Sequence, residues 1–293
     1  MWHKKIILSA NAPLYVIILV AVLFGIILFS FWTITLAYHE ATVAIELSAP
    51  LKRDKADEIA KRQERLARHN LKGIYLTAYS AGSAKKIAEI IDLIDRTELN
   101  AVVIDIKDYT GQALYDSNVP LVNELGREDN RIYDVKGLLK TLHDHDIYVI
   151  ARQTVFQDPI LAEKKPDWAF KNKNGSIWRD YKGLSWVDAS ISAVWDYNLE
   201  IAKEAIKLGF DEINFDYVRF PSDGNMGALQ YNHGERTKYE VMAEFFDYLN
   251  QSLDGFPANL SLDFFGFVME KTGADDMSIG QRLEDALDKV DGI

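Results

Sequence analysis

The run WDYNLEIAKEAIKLGFDEINFDYVRFPSDG, residues 195–224, contains one complete structural period. Tyr197, Ile201, Ala205 and Leu208 recur at helical spacing, and Gly209 is a natural helix stop. The next segment, 211–217, alternates as a strand does. Ile213 and Phe215 take one side, and Asn214 and Asp216 take the other. Working outward in both directions, the same period returns. Strands are expected at 71–77 (LKGIYLT), 100–106 (NAVVIDI), 147–152 (IYVIAR) and 259–265 (NLSLDFF). Helices are expected near 83–96, 134–144, 235–253 and 279–290, the first with Ile87, Ile90, Ile91 and Ile94 on one face. Residues 291–293 fall where a sixth strand would begin. This alternation predicts a parallel sheet covered by helices.

Two architectures satisfy that pattern, an open doubly wound sheet and a closed (β/α)8 barrel. The strand interiors favour the barrel. Asp105 with Lys107, Asn214 with Asp216, and Ser261 with Asp263 put polar groups on one side, near the C-terminal ends of three strands. Val102, Ile104, Ile213, Phe215, Leu260 and Leu262 occupy the other side. An open sheet needs apolar residues on both faces, whereas the mouth of a barrel accepts polar ones. The fold class read from the sequence is therefore α/β, a (β/α)8 TIM barrel over 71–293, ending after about five β/α units, where further strands are expected.

The remainder of the chain reads differently. Residues 14–37, LYVIILVAVLFGIILFSFWTITLA, form a stretch of 24 uncharged residues, enough at 1.5 Å per residue to cross a hydrocarbon core of about 30 Å. Lys4 and Lys5 precede it, so the expected topology is a cytoplasmic N-terminus (1–13), a transmembrane helix (14–37), a mixed-charge juxtamembrane stalk (38–70) and an extracytoplasmic body. A cleaved signal peptide is the other reading of the apolar stretch; it gives the same export but a secreted body. The chain has 33 Lys and Arg against 44 Asp and Glu, a net charge of −11, with the excess acid in residues 71–293. That balance argues against a nucleic-acid partner. The absence of cysteine excludes disulfides, thiolate metal sites and cysteine nucleophiles. No GxGxxG follows the first strand and no GxxxxGK[ST] loop occurs, so no nucleotide cofactor is expected, and the lack of a GxSxG elbow argues against a Ser-His-Asp hydrolase.

Residues 195–224, together with KGIYLTAYSAG, VVIDIKDYTG and YVIARQTVFQD, resemble the putative glycosyl hydrolase domain family, a bacterial TIM-barrel family allied to the α-amylase-like glycosidases. The resemblance spans about residues 71–293 and implies the barrel fold and glycoside hydrolysis; with the expected export, a polysaccharide or oligosaccharide of the envelope or outside the cell is the expected substrate. Glycoside hydrolysis needs two carboxyl groups flanking the scissile bond. Asp216 is the first candidate, Asp263 the second, and Asp105 a third on the same side. Arg152 and Lys107 are placed to hold carboxylates ionised or to orient sugar hydroxyls. Arg219, Tyr75 and Asn214 join them as substrate-binding candidates. Arg219 has a structural alternative, as an ion-pair partner for Asp216. The long connection after the third strand carries Trp178 and Trp186, whose flat faces suit sugar rings; the alternative is a loop with its own aromatic core, built with Phe156, Phe170 and Tyr181. His143 and His145 precede the third strand, at the end of a barrel away from its active site, so no histidine-ligated catalytic metal is expected; a Ca²⁺ site in an Asp-rich loop, without an EF-hand pattern, is the remaining metal alternative. A non-catalytic carbohydrate-binding or envelope-scaffold protein is the alternative function.

Overall fold

The computed structural model describes residues 22–26, 28–37, 57–126 and 130–293. The chain divides into two compact units, Met1–Lys61 and Arg62–Ile293. In the first, residues 22–26 and 28–37 are helical and expose apolar side chains such as Phe24, Phe31 and Trp32. The rest of the expected span at 14–37, all of 1–13 and the stretch 38–56 lie outside the described residues. Among the described residues, no helix is long and apolar enough to cross a membrane.

The second unit follows the expected alternation. Five parallel strands, β1 (Gly73–Leu76), β2 (Ala101–Lys107), β3 (Tyr148–Thr154), β4 (Glu212–Asp216) and β5 (Asn259–Leu262), lie side by side in chain order. The crossovers are α1 (Ala84–Asp95), α2 (Val135–Asp144), α3 (Ser192–Leu208) and α4 (Lys238–Leu253). Local chemistry fixes where these helices start. Ser83, Asp134 and Thr237 each cap the first turn through a side-chain oxygen, and Thr237 forms a reciprocal capping box with Glu240. Gly209 ends α3 with φ 120°, where an L side chain would be strained.

The outward residues Val102, Ile104, Val149, Ala151, Ile213, Phe215, Leu260 and Leu262 are buried under these helices in the main core. The sheet is open among the described residues, with β1 and β5 at its edges. At the β5 edge the last residues make an isolated parallel bridge: Gly292 pairs with Ser261, and Leu262 N–H donates to Gly292 O at 3.1 Å.

Three departures from the sequence reading matter for the site. The stalk does not stand wholly free in solvent, because the compact unit begins at Arg62. Arg65 is buried in an ion pair with Asp211 (3.1 Å), and Leu66 and Leu71 cover a small apolar cluster of Ala101, Tyr148 and Ile150 at the N-terminal end of the inner sheet face. Second, residues 279–290 form no continuous helix; Gly280 has φ 84° and only Leu283–Asp285 make a 3-10 turn. The backbone turns there to drop Gln281 inside, where it bonds Phe265 N–H and the carbonyls of Val218 and Asp263. Third, the long connection after β3 folds against the connection after β4. Lys171–Asn172 pairs antiparallel with Leu229–Gln230, and Phe170 packs with Phe220 and Tyr231 in an aromatic core.

Candidate active site

Strand alternation sends Tyr75, Asp105, Arg152, Asn214 and Asp216 to the inner face, together with Asp263 just past β5. The parallel register sets Asp105 beside Arg152, Arg152 beside Asn214, and Asn214 beside Ser261. Arg152 is the hub. Its Nη1 donates to Asp105 at 2.7 Å, its Nη2 pairs with Asp216, and its Nε stands 3.8 Å from Asp263. Three carboxylates thus surround one guanidinium, and Asp216 and Asp105 together hold its pKa above the ordinary value against the opposing effect of burial.

The three acids differ in surroundings. Asp105 is the deepest, with its side chain 7 % exposed, and it accepts from both Arg152 and the Tyr75 hydroxyl. Burial and that hydrogen bond push the Tyr75 phenol up to about 12, so it stays a donor. Asp216 is 21 % exposed and is oriented from two sides: Arg152 holds one oxygen, and the Tyr217 backbone N–H donates to the other at 2.5 Å. Tyr217 reaches that position by adopting φ 56°, a left-handed conformation uncommon for a bulky residue. Asp263 is 49 % exposed, and Asn214 Nδ2 donates to it at 3.1 Å. Desolvation and the neighbouring Asp216 charge raise the Asp263 carboxyl, outweighing the Asn214 hydrogen bond and Arg152.

Asp216 and Asp263 line one cavity of about 310 Å³ with Tyr217, Arg219, Phe264, Phe265 and Gln281. Sequence reasoning identified both acids and Arg219. It missed Tyr217, Phe264, Phe265 and Gln281: the twist at Tyr217 breaks strand period, and Gln281 sat inside an expected helix. Beneath the acids runs a polar chain that alternation does make legible. Asn214 donates to Ser261 Oγ at 3.0 Å, Ser261 donates to Glu212, and the Tyr148 hydroxyl donates to Glu212 at 2.9 Å.

Three expected site residues are elsewhere. The register shifts between Asp105 and Lys107, so Lys107 pairs with Gln153 and turns with it to the outer face. There its ammonium is fully buried, ion-paired with Asp158 at 2.8 Å and donating to Thr154 O at 2.7 Å. Trp178 and Trp186 are each 1 % exposed and present no face to a sugar. Trp178 Nε1 donates to Asn225 O, and its ring fills the space where Gly224 lacks a Cβ. Trp186 donates to Asp180 and supports the guanidinium of Arg219, which lies 4.9 Å from its ring centre. The long loop therefore follows the aromatic-core alternative for Phe156 and Phe170, which are buried, but not for Tyr181, which is 81 % exposed, and that core is shared with Phe220 and Tyr231 of the connection after β4. Arg219 forms no ion pair with Asp216 among the described residues; Arg152 has that role. His143 and His145 bond Asp211 and Asp95, at the opposite end of the sheet. Among the described residues, no group of three or more His, Asp and Glu is arranged to hold a metal ion.

Residues 73–293 match the family described as putative glycosyl hydrolase domain. A solved hypothetical protein from Ruminiclostridium thermocellum is 44% identical, with a TM-score of 0.61, over 65% of this chain and 96% of that one. A chitobiase from Flavobacterium johnsoniae is 15% identical, TM-score 0.49, over 67% of this chain and 31% of its own. An α-L-fucosidase from Paenibacillus thiaminolyticus is 16% identical, TM-score 0.48, over 66% and 32%. This chain thus spans about a third of the length of each of the two glycosidases. No curated protein matches the chain.

Proposed function

We propose that this chain, which belongs to the putative glycosyl hydrolase domain family, hydrolyses glycosidic bonds, with Asp216 as nucleophile or general base and Asp263 as general acid. The observation that carries this reading is that two carboxyl groups line one cavity in contrasting surroundings. Asp216 is held by a guanidinium and a backbone N–H, and Asp263 has its carboxyl raised by burial and by Asp216 itself. A glycosidase divides its work in this way: one group delivers a proton to the leaving oxygen while the other stays ionised to attack carbon or activate water. Asp105 touches neither role. It is a positioning residue that fixes Arg152 and receives Tyr75.

The proposal includes a polysaccharide or oligosaccharide substrate of the cell envelope or extracellular space. It also includes residues 14–37 as a membrane anchor with the body outside, and a (β/α)8 arrangement of the sheet. The uncharged stretch after Lys4 and Lys5 supports the anchor. The polar inner face at the C-terminal ends of the parallel strands, and the parallel bridge of Gly292 to Ser261 at the β5 edge, support the barrel arrangement.

The test is release of reducing ends by the purified full chain from a panel of envelope and extracellular polysaccharides, beside its Asp216→Asn and Asp263→Asn variants. Asp216→Asn is expected to bind but not cleave. Asp263→Asn is expected to lose about 100- to 10,000-fold, the scale of general acid catalysis. Wild-type binding without cleavage across the whole panel would instead identify a carbohydrate-binding or scaffold protein.

A further inference from the structure

Arg219 differs from seven other described arginines of the compact unit. Arg65, Arg68, Arg96, Arg152, Arg179, Arg236 and Arg282 each form an ion pair with a carboxylate. Arg219 has no carboxylate within ion-pair distance among the described residues, although the chain carries an excess of acid and the residue lines the same cavity as Asp216 and Asp263. It is also largely desolvated, at 9% exposure. Its guanidinium is clamped among three rings, with centres at 4.8 Å (Phe265), 4.9 Å (Trp186) and 5.3 Å (Tyr217). Nη1 donates to Phe220 O and Ser222 Oγ, each at 3.1 Å. The other edge, Nε with Nη2, has no hydrogen-bond partner among the described residues, and neither atom is buried away from solvent.

A cation that is desolvated, rigidly oriented and unpaired is costly to keep, and burial accordingly lowers its pKa. An anion completing the free edge would offset that cost. The Nε–Nη2 fork is planar and matches the two oxygens of a carboxylate. We propose that Arg219 binds a carboxylate on the substrate, so that the sugar held beside Asp216 and Asp263 is a uronic acid or a comparably carboxylated residue. This rests on the hydrolase reading for the place of the subsite, but binding can be measured without turnover. Asp223, Asp216 and Asp180 act on Arg219 only from beyond ion-pair distance and do not outweigh its desolvation, and Arg152 already binds Asp216, so the free edge still attracts an anion.

The probes are tri-galacturonate, a glucuronate-containing trisaccharide, and the same two compounds with their carboxyl groups reduced to alcohols. Calorimetric binding to the full-length Asp216→Asn chain is compared with that of Asp216→Asn/Arg219→Gln and Asp216→Asn/Arg219→Lys. At least one acidic probe is expected to bind about 10- to 100-fold more tightly than its reduced form. Arg219→Gln should erase that preference, and Arg219→Lys should retain only part of it, because the charge remains and the fork is lost. Inorganic phosphate or sulfate competing as well as glucuronate would show a general oxyanion subsite and overturn the carboxylate assignment. Equal binding of acidic and reduced probes, no binding by any of them, or a preference that survives Arg219→Gln would overturn the proposal outright. Circular dichroism melts of the variants guard against misfolding. Arg219-dependent binding without wild-type cleavage would leave this subsite standing and remove the hydrolase reading. Cleavage of neutral glycans untouched by Arg219→Gln would do the reverse.

Discussion

Replacing Arg152 with methionine tests the electrostatic design of the site without needing a substrate. The guanidinium is 20 % exposed and faces Asp105 at 7 %, Asp216 at 21 % and, from 3.8 Å, the half-exposed Asp263. Removing one partner of a buried pair costs about 3–5 kcal/mol. The lower end applies here, because water reaches Asp216 and the Asp263 contact is long and exposed, so the expected loss at pH 8 is about 3 kcal/mol. The pH dependence gives the sharper test. Arg152 opposes the raising of the Asp263 carboxyl. Without it the acidic cluster takes up a proton in the folded state at a pH where the unfolded chain, with carboxyls near 4, has released it. The native state then binds more protons than the unfolded one, so stability rises as pH falls, by at most about 1.4 kcal/mol per pH unit for one proton. Between pH 8 and pH 5.5 the variant should therefore recover roughly 2 kcal/mol relative to wild type. Urea unfolding followed by near-ultraviolet circular dichroism, which reports the buried Trp178 and Trp186, measures both quantities. A stability difference that is the same at the two pH values, or smaller than about 0.5 kcal/mol, would refute the idea that Arg152 neutralises this cluster.

Other substitutions address separate parts of the molecule. Cleavage should decline as pH rises through the raised Asp263 carboxyl, and Asp263→Asn should recover most of its rate on aryl glycosides whose leaving group needs no proton; a pH–rate profile of both enzymes on such a substrate checks this. Asp211, buried against His143 (2.9 Å), Arg65 and the Val149 N–H, has its carboxyl lowered by these partners despite burial. Its stabilisation is present above the unfolded value near 4 and is lost as pH falls through the lower folded value. Asp211→Asn should accordingly cost about 3 kcal/mol at pH 7 and less at pH 3 in urea melts. Lys107→Met strands the buried Asp158 carboxylate and should destabilise by about 3–5 kcal/mol, while leaving glycan affinity measured by calorimetry unchanged, since Lys107 lies on the outer face.

Much of this site was legible because strand alternation is a strict period of two. Once residues 100–106, 147–152, 211–217 and 259–265 are read as parallel strands, Asp105, Arg152, Asn214, Asp216, Ser261 and Asp263 must share a face, and they do. The reading failed where that period failed. One bulge between Asp105 and Lys107 turned the lysine outward, and no local sequence signal announces such a shift. Trp178 and Trp186 failed for a different reason: an aromatic residue on a long loop reads alike whether it faces a sugar or a core. Only the pairing of Lys171–Asn172 with Leu229–Gln230, and the missing Cβ of Gly224, decide that Trp178 points inward. Gln281 was hidden by a plausible helical spacing that Gly280 interrupts.

The inner face is graded from bottom to top, and the gradient explains why the two carboxyl groups can differ. Ala101, Tyr148 and Ile150, covered by Leu66 and Leu71, form an apolar floor. Above it Glu212, raised by burial although Tyr148 and Ser261 both donate to it, connects through Ser261 to Asn214. Asn214 also donates to Asp263, which Arg152 approaches only to 3.8 Å, whereas Arg152 and the Tyr217 N–H bond Asp216 directly. A neutral amide therefore bonds one acid, and a full positive charge bonds the other. Exchanging those partners would exchange the roles. In an Asn214→Arg variant, Asp263 would gain a cation and release its proton more readily, leaving the cavity with two ionised carboxylates and no acid. Cleavage of unactivated glycans should then fall far more than cleavage of aryl glycosides. Equal losses on both substrates would mean that the raised Asp263 carboxyl is not what supplies the proton.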